Sequence, residues 1–137
     1  MRLRRLAAYA WAAPSTVLGL AAVAVTGARA GAVGGVVEAH GPGVARWFAR
    51  LAPGRGVVAM TLGHVVLACD AETLADTRAH ERVHVRQYER WGAAFVPAYL
   101  VASAVAWARG GDAYRDNVFE REAWAQAPIG PRRPPIR

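Results

Sequence analysis

Between Arg5 and Arg29 the chain carries no charged residue. Residues 6–28 must therefore be hidden from water, either by the rest of the fold or by lipid. The run is long enough to cross a hydrocarbon core with some tilt. Three fates fit it. Ala28-Arg29-Ala30 has the small-x-small form of a signal-peptide cleavage site, which would make the mature protein secreted. An uncleaved anchor is the second fate, and an apolar helix inside the fold the third. The apolar stretch is long for a signal core and contains Pro14, which favours the anchor. Arg2, Arg4 and Arg5 just ahead of it form the flank expected on the cytoplasmic side of a membrane segment.

With 137 residues the chain has room for one compact domain. The expected division is an anchor or signal segment over residues 1–30, a folded domain over 31–127, and a disordered tail over 128–137. The tail is rich in proline and arginine. Net charge is +7, which raises nucleic acid or an anionic membrane as a partner. All 17 basic residues are arginine and they are scattered, which points to coding bias and away from nucleic acid. The single cysteine, Cys69, excludes an intrachain disulfide and a cysteine-based zinc cluster.

Along the domain, Gly31 to Gly35 is a break, and a strand is expected over Val33 to Ala39. The turn His40-Gly41-Pro42-Gly43 follows, then a short amphipathic segment from Val44 to Leu51. The strongest strand pattern covers Val57 to Ala68. A helix is expected from Thr73 to Trp91, capped by Thr73 or Thr77 and stopped by Gly92. A second apolar run, Ala93 to Ala108, ends at Gly110-Gly111, and Asn117 caps a last helix reaching about Gln126. The sum is an α+β fold: a small sheet of two or three strands, a central helix, and an apolar N-terminal helix that resembles a transmembrane one.

Within the central helix stands His80-Glu81-Arg82-Val83-His84. Residues i and i+4 share a helix face, so both imidazoles can meet one metal ion. Glu81, beside them, can reach a water at the open coordination position and act as general base. In a chain of this composition the pattern arises by chance about once in a hundred; its place inside a convincing helix improves those odds. Zinc needs a third protein ligand. Gln87 and Arg90 occupy the positions where the long H-E-x-x-H-x-x-G-x-x-H motif needs Gly and His. A carboxylate from the last helix is the remaining source, Glu120 first and Glu122 second. Glu120 has a rival role, because Asn117-x-x-Glu120 is also a capping-box pattern.

The runs Thr61 to Leu67, His80 to Gly92, Phe95 to Leu100 and Tyr114 to Ala123 resemble small bacterial membrane-associated proteins related to minimal zincins of the gluzincin type. The resemblance covers residues 57–126. It implies a zincin-like domain over 31–127 that binds Zn2+ and cleaves a polypeptide substrate at the bacterial inner membrane. It also implies that the third ligand is a glutamate three residues before an alanine, the place Glu120 holds before Ala123. Many such proteins carry Asp after that alanine; this chain has Trp124.

Other positions invite weaker readings. His64, expected on the strand before the central helix, which in zincin-like folds would border substrate, could orient substrate or stabilise an oxyanion. Tyr88 lies one turn past His84, and Tyr114 precedes the Glu120 helix as a possible donor. If Ala93 to Ala108 crossed the membrane, His80 and His84 would be separated from Glu120, so this run is expected to be buried or interfacial. Two alternatives stay open: a non-catalytic membrane protein with a structural zinc whose fourth ligand is His64 or Glu122, and a basic surface binder with an accidental motif.

Overall fold

The computed structural model describes residues 2–129; the tail expected from 128 onward falls almost wholly outside them. The fold is α+β, built on a mixed four-stranded sheet in the order β1-β2-β4-β3. Its strands are β1 (Arg29–Val33), β2 (Val36–His40), β3 (Ala59–Leu62) and β4 (Val65–Ala68). The helices are α1 (Arg2–Thr26), α2 (Pro42–Leu51), α3 (Ala71–Trp91), α4 (Phe95–Ala108) and α5 (Val118–Gln126), with a single 3-10 turn at Gly92–Ala94 joining α3 to α4.

Two expected strands are in fact hairpins. The break at Gly31 to Gly35 is mostly strand β1, which turns back on β2 through Gly34 and Gly35 at φ +56° and +80°. Successive positive φ values are what a two-residue hairpin turn demands, and glycine supplies them without strain. The long Val57 to Ala68 pattern likewise folds at Gly63-His64 into antiparallel β3 and β4. Gly63 has φ +60°, and a Cβ there would run into the backbone of Thr16. Both signals were visible as glycines inside a strand pattern. β2 and β4 are parallel, with α2 and β3 in the crossover between them.

Side chains alternate across this sheet as strand geometry requires. On one face Val36, Val66 and Ala68 pack with Leu74 and Val85 of α3. On the other, Ala39, Val65 and Leu67 pack with Ala22 of α1 and with Val44 and Phe48 of α2. Glu38 points to the α3 face, buried, and is held by Arg78 and Arg82 at 2.8 and 2.9 Å.

α1 buries Ala12, Ser15, Gly19 and Ala22, spaced to share one helix face. Their small size lets the backbone approach β4; a Cβ on Gly19 would lie 2.6 Å from that of Val65. The opposite face exposes Leu3, Leu6, Val17, Leu18 and Val25. This helix is long and apolar enough to cross a membrane. The N-cap of α3 is Asp70, three residues ahead of the expected Thr73; its carboxylate accepts from Thr73 N at 2.7 Å. Gly92, at φ +57°, ends α3, with the Trp11 indole packed where a side chain would otherwise be.

Candidate metal centre

α3 presents His80 and His84 on one face, and α5 brings Glu120 up to meet them. Nε2 of His80 lies 3.2 Å from Oε2 of Glu120, and Nε2 of His84 lies 3.4 Å from Oε1. One ligand atom from each residue falls within 4.8 Å of the others, and all three residues are buried. Two ligands about 2.0–2.1 Å from a tetrahedral zinc sit roughly 3.3 Å apart, so each nitrogen-to-oxygen separation is compatible with a shared ion, the two histidines meeting different oxygens of Glu120. The donors suit the ion too: two imidazoles and one carboxylate are the set found in open zinc sites.

Glu120 is free for this role because Asn117 caps α5 without it. The Asn117 side-chain oxygen accepts from Phe119 N at 2.9 Å, while its own N–H bonds Tyr114 O at 3.1 Å. The Asn117 amide donates to Tyr99 O and to Ser103 Oγ, fixing the start of α5 against α4. Tyr99, unnoticed in the sequence, donates its hydroxyl to Glu120 Oε1 at 2.7 Å. Tyr114, half exposed, lies near enough for the charge of Glu120 to act on its hydroxyl. Burial and the Glu120 charge raise the pKa of both tyrosines. Burial pushes Glu120 itself upward, but hydrogen bonds from His80 and His84, the charge of His84 and the Tyr99 hydroxyl outweigh it and hold the carboxyl at about 2.

Gln87 orients His84. Its Oε1 accepts from His84 Nδ1 at 2.8 Å, while its Nε2 donates to Phe119 O and Glu122 Oε2, which fixes the amide's direction. With Gln87 taken up by Nδ1, Nε2 is the nitrogen that faces Glu120. Burial works against a proton on His84, but the Glu120 hydrogen bond and the charges of Glu81 and Glu120 lift its pKa to about 9. Glu122, the fallback ligand, stands behind Gln87 and is bound by Arg90 at 2.7 Å. Sequence reasoning met Gln87 only at the position where the long motif needs glycine; the cue was a polar residue one turn from His84 on the same face.

Glu81 is buried and accepts a 2.6 Å hydrogen bond from Thr61 Oγ1 on the edge strand β3. Burial raises its pKa, partly offset by His84, the Thr61 bond and His80. Trp124 sets its indole edge-on to His80, centroids 4.9 Å apart, and His80 Nδ1 is buried with no hydrogen-bond partner among the described residues.

The other expected participants lie elsewhere. His64 occupies the β3–β4 turn, where Nε2 meets Glu89 at 2.9 Å and the ring stacks on Tyr9. Glu89 is eight residues past Glu81, about 12 Å along the helix. Tyr88 packs beside Phe95 and Ala12 in an apolar cluster beneath the centre. No family model, curated protein or solved structure matches this chain.

Proposed function

We propose that the protein is a small membrane-attached zinc hydrolase, acting on a peptide bond in a polypeptide in the manner of a minimal gluzincin-like metallopeptidase. The observation that carries this reading is the convergence of His80, His84 and Glu120 beside a buried Glu81. His80, His84 and Glu120 would hold the ion. When bound, zinc polarises a carbonyl and lowers the pKa of a coordinated water toward about 7.

The chain's own residues supply the rest. Thr61 holds the Glu81 carboxyl in place, and Glu81 takes the proton released as water attacks the carbonyl. Glu81 then returns that proton to the departing amine nitrogen, so that the peptide C–N bond breaks and a carboxylic acid and an amine result. Tyr114, half exposed, would donate to the developing oxyanion. β3, as a sheet edge, offers backbone groups to an extended polypeptide. α1 supplies the membrane attachment through its exposed apolar face, and its arginine-rich start favours the anionic surface of the bacterial inner membrane.

The rival reading, a structural zinc, draws support from the depth of the centre. It needs a fourth protein ligand, and its two candidates are engaged elsewhere: His64 with Glu89 and Glu122 with Arg90. The deciding experiment purifies the full chain in detergent and measures zinc content and cleavage of unstructured casein, for the native protein and for Glu81→Gln. Stoichiometric zinc in both with cleavage only by the native chain is expected. Absence of stoichiometric metal from the native protein sinks the proposal.

A further inference from the structure

α4 is built inside out for a helix in water. Its inward side carries the polar groups: Tyr99 donates to Glu120, and Ser103 accepts from Asn117. Its outward side exposes Val96, Leu100, Val101, Val105 and Trp107. A helix that is apolar on its free face needs a cover other than water. α1 shows the same inversion, with Ser15 and Gly19 inward and leucines and valines outward. Small and hydroxylic residues facing protein, with large aliphatics facing out, is the arrangement helices adopt against lipid.

The flanks of α4 name the cover. From Trp91 to Ala108 there is no charge, and Arg90 and Arg109 bracket the run. Trp91, the last residue of α3, and Trp107, near the end of α4, are both exposed on either side of this run. Tryptophan at the limits of an apolar surface, with arginine just beyond, fits the interface of a bilayer carrying anionic headgroups. An apolar groove of about 900 Å³ lined by Trp91, Pro97, Val101 and Val118 opens beside the same helix.

α4 cannot carry the chain across. His80 and His84 precede it, Glu120 follows it, and the three meet. The returning chain is back beside α4 by Asn117, and the far end holds Arg109, Asp112, Arg115 and Asp116, costly groups to place in hydrocarbon. We propose that the outward face of α4 lies in the headgroup–acyl boundary of a bilayer, so that the domain rests on the membrane through α4 as well as α1. This rests on the membrane reading of α1 but not on the zinc chemistry.

The test uses the full chain with Cys69→Ser and one new cysteine carrying an environment-sensitive fluorophore: Leu100→Cys or Val101→Cys on the outward face, or Arg121→Cys on the exposed side of α5. Each is mixed with vesicles of phosphatidylcholine and phosphatidylglycerol, with and without bromine on the acyl chains. Positions 100 and 101 are both solvent-facing, and thermal unfolding confirms that each labelled chain is folded. The expected result is a blue shift and severalfold stronger quenching by brominated lipid at 100 and 101 than at 121. Vesicle binding with equal quenching at all three positions overturns the role of α4 and leaves α1 attached. No vesicle binding overturns both. Shielding of 100 and 101 that rises with protein concentration without vesicles shows that a second copy covers the face, and overturns the proposal.

Discussion

His84 and His64 are both buried imidazoles facing a glutamate, yet they define different kinds of place. Around His84, two helices send three ligand atoms toward one point, and Gln87 fixes which nitrogen faces it. Around His64 there is one carboxylate, partly exposed, and a stacked Tyr9. That ring ties α1 to the end of the sheet, helped by Thr16 Oγ1, which accepts from His64 N. What marks a metal centre is convergence with orientation; burial and a nearby acid are shared by both histidines.

The sharpest way to break this contrast is Glu120→Ala. It should abolish stoichiometric zinc binding, read by elemental analysis, whereas His64→Phe should leave zinc content unchanged. If His64→Phe loses the metal and Glu120→Ala keeps it, the assignment is reversed. Next is Glu81→Gln, which should lower peptide cleavage by about 10²–10⁴-fold while zinc is retained. Gln87→Ala should weaken zinc binding by about 10–100-fold, seen in competition with a chelating dye, because His84 loses the group that fixes its ring. An unchanged affinity would make Gln87 a packing residue.

A third buried acid, Glu38, extends the comparison, since it faces arginines only. Burial pushes its carboxyl up, but the hydrogen bonds and charges of Arg78 and Arg82 win and hold it below its ordinary value of 4.5. Its folded pKa is thus lower than its unfolded one. The stabilisation is complete above the unfolded value and is lost as pH falls through the folded one. Glu38→Gln should cost about 1–2 kcal/mol at neutral pH, trimmed because Arg78 is half exposed. Urea unfolding should show that gap closing in acid. Smallest of all, His64→Phe should cost about 1 kcal/mol or less, because Glu89 remains partly in water.

Much of the centre could be read from the chain because helix geometry alone pairs His80 with His84. The choice of Glu120 over its capping role could not, since it depends on Asn117 using its side chain on Phe119 and its amide on α4. Tyr99 was hidden for the same reason: its hydroxyl meets Glu120 only after the chain doubles back. In the sheet, alternation found the strands but missed both folds, at Gly34-Gly35 and Gly63-His64, because an apolar run bent in two has the same period as a straight one. The apolar content of Ala93 to Ala108 suggested a helix in the interior or at an interface; one side of it, with Phe95 and Ala106, is buried, and the other exposes Leu100 and Val101.

The ligand set is split between α3 and a helix that starts 34 residues after His84. Before the chain has folded, only the i and i+4 imidazoles are near neighbours, and a two-nitrogen grip is weak. A tight grip arrives together with the docking of α5, whose cap is nailed to Tyr99 and Ser103. Under the zinc reading proposed above, ion occupancy would therefore report completed assembly, and free zinc would shift the folding equilibrium toward the finished molecule by mass action.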